Sequence, residues 1–400
     1  MTMSGLHIVV IGSGSIGQAV VRQLIEKGAK VSLFERDQDQ LELIRKKESF
    51  FIQNGSLKVL SSKSIFVELN RLTVFHCVIL ATAWLDGRYL LKQLAEQYEV
   101  SILMLGRPDI NDPLITETEL QYTKSPILMG TGLEPGLIEG LAASMVSRVP
   151  KIASLITYCG GLPQHPSGVF GYKQVFGRRL PIDPRMSLSI SDGVMLRVPR
   201  FSQVEHVFFE HIGFLEAFDD AMMTTTASTF SSQVRHFSQR TLRWPGFARA
   251  AKACAQLGLL SSDCVTIGDK TLSIREIAEK LLTSVDADAE AKIAAKLDND
   301  FVLCRWTATN SDGKHGSITL HMTAPETSTA MAYITAAFAI AAAKTVMSDP
   351  HSGFIFPHHP VMQTCALSFL RGLRHDGNAN IVTTGILKEI LKGELDDKVY

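Results

Sequence analysis

The stretch Leu6-His7-Ile8-Val9-Val10-Ile11-Gly12-Ser13-Gly14-Ser15-Ile16-Gly17 decides the fold of this chain. Leu6 to Ile11 is almost continuously apolar, which predicts a strand buried on both faces, and Ile16 to Lys27 has the spacing of a helix. Lys30 to Phe34 reads as a second strand. The glycine pattern G-x-G-x-x-G alone is weak. Placed after a buried strand, at the mouth of a helix and inside a strand–helix–strand unit, it is specific. Gly12 permits the tight turn, Gly14 lets the backbone approach a pyrophosphate, and Gly17 lets helix and strand pack closely. The helix start presents N–H groups to the anion. Ser13, Ser15 and Ile16 complete the expected cofactor loop.

Outward from this unit the same alternation continues. A helix is predicted over Gln38–Lys47 and another over Gly87–Gln97, with strands near Leu57–Leu60, Cys77–Ala81, Ile102–Leu105 and Ile127–Met129. Apolar strands alternating with helices predict an α/β fold, a Rossmann doubly wound parallel sheet covered on both faces. Glu35 follows the second strand, where a carboxylate would hold the adenosine ribose hydroxyls, favour NAD and repel a 2′-phosphate. Arg36 beside it is able to pair with that phosphate, so NADP stays open. Thr82-Ala83 and Gly130-Thr131-Gly132 follow the fourth and sixth strands, on the edge where such sheets bind ligands. The nicotinamide end is expected there.

Bulk properties bound the rest. Forty basic residues balance forty acidic ones in 400 residues, which argues against a nucleic-acid or membrane-surface partner. Cys77, Cys159, Cys254, Cys264, Cys304 and Cys365 never form C-x-x-C, so neither a disulfide framework nor a zinc site is expected, and reduced thiols in a cytoplasm are. No secretory signal is read at the start. Ala330–Ala343 is alanine-rich and predicted to be a buried helix. His351, His358 and His359 have no compact ligand spacing and are expected in a surface turn, with no metal.

After Gly132 the pattern changes, predicting a second α/β substrate and dimerisation domain over about 133–324, with about 325–400 returning to the first. Pro135–Ser147 reads as a helix with proline in its first turn, Ser154–Tyr158 as a strand ending at Cys159-Gly160-Gly161, and Leu162–Arg200 as loops. Helices follow at Phe247–Leu257 and Ile274–Val285. Phe301–Asn310 and Ser317–Ala324 form a hairpin around Asp312-Gly313.

Four segments carry a family resemblance: Gly132-Leu133-Glu134-Pro135-Gly136, Thr157-Tyr158-Cys159-Gly160-Gly161-Leu162-Pro163, Gly171-Tyr172-Lys173, and Thr241-Leu242-Arg243-Trp244-Pro245-Gly246-Phe247. In this order they resemble the saccharopine dehydrogenase-like family, which includes saccharopine reductase and lysine 6-dehydrogenase. The resemblance implies a Rossmann domain built from both chain ends, a central substrate domain, a homodimer, and NAD(P)-dependent redox chemistry at a carbon–nitrogen bond of an amino acid. The chain departs from the family's G-L-D-P-G-I-D-H: Glu134 replaces the aspartate, and Ile138 and Glu139 stand where Asp and His would. The tail after Pro350 finds no counterpart.

Reduction of an imine needs hydride geometry, an acid or base near the nitrogen, and anchors for carboxylates. Glu134, Lys173 and Arg243 are the candidate catalytic residues: Glu134 to hold an ammonium or move a proton, Lys173 as acid or anchor, Arg243 as a bidentate clamp. Tyr158, Cys159 and Gly160 are candidate pocket walls. For each the plain alternative is structural: a helix-start carboxylate, an exposed lysine, a domain ion pair, a core tyrosine. Two other functions stay open: a cofactor-binding regulatory or scaffold protein, and an oxidoreductase acting on an alcohol or aldehyde.

Overall fold

The computed structural model describes residues 3–61, 63, 65–72, 74–108, 112, 123–166, 168–172, 180–220, 222–284, 300–325, 328–348 and 351–395. Its first layer is a seven-stranded parallel sheet. The strands are β1 (His7–Ile11), β2 (Lys30–Glu35), β3 (Leu57–Ser61), β4 (Cys77–Leu80), β5 (Ser101–Met104), β6 (Pro126–Met129) and, from far along the chain, β17 (Gly353–Ile355). They lie in the order β17-β6-β5-β4-β1-β2-β3. Alternate residues of each strand enter different cores. Ile8 and Val10 join Leu24, Ile79, Leu103 and Leu128 on one face, whereas Val9 and Ile11 join Leu80, Trp84, Leu91 and Met104 on the other. With both faces covered, neither side chain of a pair is free to be polar, hence the unbroken apolar runs.

One face is closed by helix Ser15–Glu26 lying against helix Ala330–Ser348. The latter is 19 residues, the one helix among those described that is long and apolar enough to cross a membrane, and 67% of its apolar window is enclosed by the rest of the protein. Its alanines let the two helices approach closely, and Gln23 donates to the Tyr333 carbonyl at 2.9 Å between them.

The second layer is a nine-stranded mixed sheet. Its path runs β10 (Glu205–Phe209), β11 (Gly213–Asp219), β12 (His236–Arg243), β7 (Ile152–Pro163), β15 (Asp300–Asn310), β16 (His315–Thr323) and β18 (Ala379–Thr383). The hairpin β8 (Met186–Ser191) and β9 (Val194–Pro199) pairs with β12 through β8. The β15–β16 hairpin turns at Gly313, φ +79°, with Asn310 Oδ1 accepting the Asp312 and Lys314 amides.

Four expectations need correcting. The helix after the sixth strand runs Leu137–Arg148 with Gly136 as its cap at φ +141°, so Pro135 lies outside it, in a cis Glu134–Pro135 turn. Strand β7 does not stop at Tyr158 but continues to Pro163, because β15 pairs with it along its whole length. The stretch read as loops contains β8 and β9, turning at Asp192-Gly193 with φ of +49° and +76°. The tail splits: β17 completes the nucleotide sheet, but β18 pairs with β16, so residues beyond 378 belong with the second sheet.

Candidate active site

The glycine loop is built as its residue types demand. At Gly12, φ +98°, a Cβ would lie 2.7 Å from the Ala81 carbonyl oxygen, and at Gly17 it would collide with the Gly12 carbonyl. At Gly14 a Cβ would meet nothing within 4 Å. The loop is therefore packed tightly on the protein side and open at Gly14. Helix Ser15–Glu26 begins there with no side chain capping it. This is a cradle that fits a dinucleotide pyrophosphate. Thr82 Cγ2 would be 3.0 Å from a Cβ at Gly12, and the Thr82 carbonyl 2.7 Å from one at Gly106, so the ends of β1, β4 and β5 form one rim. Ala83 caps helix Trp84–Gln97 on the same rim.

Glu35 has four protein donors. Oε2 accepts the Ser13 amide at 2.9 Å and its hydroxyl at 2.5 Å; Oε1 accepts the amides of Arg36 at 2.7 Å and Asp37 at 2.9 Å. A carboxylate has about four acceptor positions, so in this conformation Glu35 first clamps the glycine loop. Burial opposes its ionisation, but the bonds from Ser13, Asp37 and Arg36 outweigh that and hold its carboxyl below the usual range. Arg36 is exposed and faces Asp86 at 3.5 Å.

At the far end of the rim, β6 runs into Gly130-Thr131-Gly132 and the chain folds back on itself. The Gly132 amide donates to the Pro135 carbonyl at 2.8 Å and the Leu137 amide to the Gly132 carbonyl at 3.0 Å. A Cβ at Gly136 would strike Gly132. This closed turn carries Glu134 at its tip, keeping a partial edge to the cleft. Glu134 Oε1 accepts from Gln239 Nε2 at 2.7 Å, and the same nitrogen donates to Oε1 of the fully enclosed Glu139 at 2.8 Å. Burial, then the neighbouring Glu139 charge, pushes the Glu134 carboxyl up to about 8, against the opposing pull of Arg107. Burial also raises Glu139.

The second sheet supplies the opposite wall. On β12, Gln239, Thr241 and Arg243 share one face, alternating with Arg240 and Leu242 on the other. Register with β7 sets Thr157 and Cys159 on the Gln239 face and Tyr158 on the outer one. Cys159 sits 3.9 Å from Cys304; its thiol is pushed up by that contact, by burial, and by the charges of Glu134 and Glu139. Tyr158 instead donates to Glu205 at 2.9 Å, away from Glu134, and Gly160 packs against Leu242. Arg243 is buried with its guanidinium over Tyr172 at 4.8 Å and Phe247 at 5.3 Å. Its Nη1 donates to the Leu242 carbonyl, and it has no ion pair among the described residues. Lys173 lies outside the described residues.

Sequence reasoning missed a cavity whose lining includes Arg107 and Asp220, two charges that act on Glu134. It measures about 490 Å3 and is lined by Arg107, Arg185, Arg197, Asp220, Met222, Met223 and Phe356 among others. Asp220 accepts from Arg185 at 2.6 Å and Arg200 at 2.7 Å; burial opposes its ionisation, yet these cations hold it below the usual range. No sequence motif marked Arg107, and Arg185 and Arg197 stood in the stretch read as loops. Phe356 comes from the tail, stacked on His358, whose ring burial pushes down to about 4. His358 does lie in a turn, half-buried against Phe356 of the cavity wall; among the described residues no group of metal-ligating side chains forms.

Residues 132–377 match the family described as saccharopine dehydrogenase C-terminal domain, more than half of the 400 residues. The chain belongs to the saccharopine dehydrogenase family. Residues 8–105 also match ketopantoate reductase PanE/ApbA, a second sign of the nucleotide-binding half. Among solved structures, apo saccharopine dehydrogenase (L-Glu forming) from Saccharomyces cerevisiae is 17% identical, with 95% of this chain covering 100% of that one at a TM-score of 0.71; it shares the fold. A meso-dapdh mutant with DAP from Clostridium tetani is 13% identical over 93% of this chain and 99% of that one, at a TM-score of 0.42, too loose to carry an argument. Family and fold together mark this saccharopine dehydrogenase family member as an oxidoreductase.

Proposed function

We propose that the protein is an NAD-dependent oxidoreductase acting on a carbon–nitrogen bond of an amino acid, through imine formation or reduction. The observation that carries this is Glu134: a carboxyl raised to about 8 in the turn after β6, within reach of the charges of Arg107 and Asp220, both of which line the arginine-rich cavity. A nitrogen that passes between amine and imine must gain and lose a proton. A carboxyl of ordinary acidity is spent as a donor at neutral pH, whereas one titrating near 8 both gives and takes. Arg107, Arg185 and Arg197 supply cationic anchors for a substrate carboxylate, and Met222, Met223 and Phe356 an apolar wall for its carbon chain. Arg243, about 13 Å along β12 from Gln239 at strand spacing, is a more distant anchor on the same face. A bound nicotinamide would supply the hydride acceptor or donor; Gly12, Gly14 and Gly17 would hold its pyrophosphate, and Gly130, Thr131 and Gly132 would border the nicotinamide end.

The carboxylate of Glu35 at the end of β2 favours NAD over NADP. Glu35→Ala is expected to raise KM for NAD far more than for NADP, and equal effects would defeat that choice of cofactor. The reaction class is tested by following NAD and NADP reduction with lysine, saccharopine and other amino acids beside a panel of alcohols. Turnover of an amine is expected; turnover of alcohols with no response to any amine overturns the proposal.

A further inference from the structure

Position 139 holds glutamate where the family motif carries histidine. Helix Leu137–Arg148 sets this side chain, wholly enclosed, back against the turn that starts it. Glu139 Oε2 accepts the Gly136 amide at 2.7 Å, and Oε1 accepts Gln239 Nε2 at 2.8 Å. Because Glu134 Oε1 accepts from that same nitrogen at 2.7 Å, the two carboxyl oxygens lie no more than about 5.5 Å apart. The amide of Gln239 is fully buried, and its oxygen has no donor among the described residues. The reverse orientation would put that oxygen against two carboxyls, so the nitrogen faces them. Its two hydrogens serve one oxygen of each acid and have nothing further to give.

The surrounding charge does not neutralise two carboxylates. From the cavity side, Arg107 favours ionisation of both acids, but Asp220 opposes it at Glu134; from β7 the thiol of Cys159 adds no positive charge. Two like charges this close, one of them wholly enclosed, do not both ionise cheaply, and such a pair titrates as a unit.

We propose that Glu134 and Glu139 form one proton-sharing carboxyl pair, held by Gln239, that keeps a single proton through the neutral range. The assignment of Glu134 as the group that meets the substrate nitrogen rests on the reading given above; the pairing itself does not. Glu139 and Gln239 are positioning residues: they never reach the substrate, and act by deciding whether Glu134 holds a proton when the substrate arrives.

The test is a carbon-13 NMR titration of protein labelled at the glutamate carboxyl carbons, from about pH 3 to about pH 9. In the wild type, two glutamate signals are expected to titrate together, each with two steps, and one step above about pH 6. Glu134→Gln and Glu139→Gln assign them. In Glu139→Gln the Glu134 midpoint is expected to fall by about one unit or more, and in Gln239→Met, which keeps the shape and removes the donor, to rise. A wild-type Glu134 signal that titrates singly in the ordinary range near about 4.3, or a midpoint unmoved in Glu139→Gln, overturns the pair. The wild-type curves decide this even where a variant misfolds. With an amine substrate in hand, the limb of the kcat/KM profile that reports Glu134 should move in the same direction in Glu139→Gln. Coupled titration without amine turnover leaves the pair standing and sinks the proposed reaction; amine turnover with independent titration does the reverse.

Discussion

Gly14 and Gly17 sit three residues apart in one motif and serve different needs. A methyl at Gly14 meets no protein atom and its φ of −61° suits alanine, whereas one at Gly17 runs into the Gly12 carbonyl. Gly14→Ala is therefore expected to leave the melting temperature within about 2 °C of wild type while weakening dinucleotide binding by about tenfold or more. Gly17→Ala is expected to cost stability as well, by about 2 kcal/mol, because the helix must move off the strand. Fluorescence titration with cofactor alongside thermal melts separates the two; equal loss of stability in both variants counts against the cradle. Glu134 makes a claim of the same scale. Its carboxyl is raised in the folded state to about 8, so the folded protein holds that proton more tightly than the unfolded chain. The stabilisation is complete below the ordinary glutamate range and is lost as pH climbs through about 8. Glu134→Gln should thus raise the melting temperature by several degrees at about pH 8 and change it little at about pH 4.5. A pH-independent difference would mean the carboxyl is ionised at an ordinary pH.

Helices and strands show where local pattern suffices and where it does not. Helix Ala330–Ser348 has alanine at eight of its 19 positions and little amphipathic bias, because helices and sheet press on it from several sides. Ala339 has no exposed surface. Ala339→Leu is expected to cost about 1–3 kcal/mol, measured by denaturant unfolding, since the neighbours have no room to give; an unchanged midpoint would mean the packing is loose. The β8–β9 hairpin shows the opposite case. Asp192-Gly193 carries the same turn signal as Asp312-Gly313, and only the flanking prolines, glycines and arginines concealed it. Strand β7 was legible to Tyr158 because apolar, β-branched and aromatic residues run that far. Its glycine-rich end is extended because β15 pairs with it through Pro163.

Across the whole molecule, the tail and one buried carboxylate tie the two sheets to the cavity. Segment 353–383 lays β17 on the first sheet, sets Phe356 in the cavity wall, and ends as β18 on the second. Asp220 sits between Arg185 and Arg200, the latter with only 3% of its side chain exposed. Asp220→Asn leaves that guanidinium buried without its counter-charge and is expected to destabilise the protein by about 3–5 kcal/mol in denaturant unfolding. A loss below about 1 kcal/mol would show that Arg200 finds another partner.

The amino-acid order by itself determined the parallel sheet and the glycine loop. Those depend on neighbours within a few residues: a buried strand, a tight turn, a helix start. The arginine cavity and the sharing of one amide by Glu134 and Glu139 were decided only by tertiary structure. Arg107, Arg185 and Gln239 come from distant stretches with no periodicity in common, and nothing local marks a glutamine as the partner of a carboxyl 100 residues away. Their meeting follows from β12 pairing beside β7 against the helix that bears Glu139.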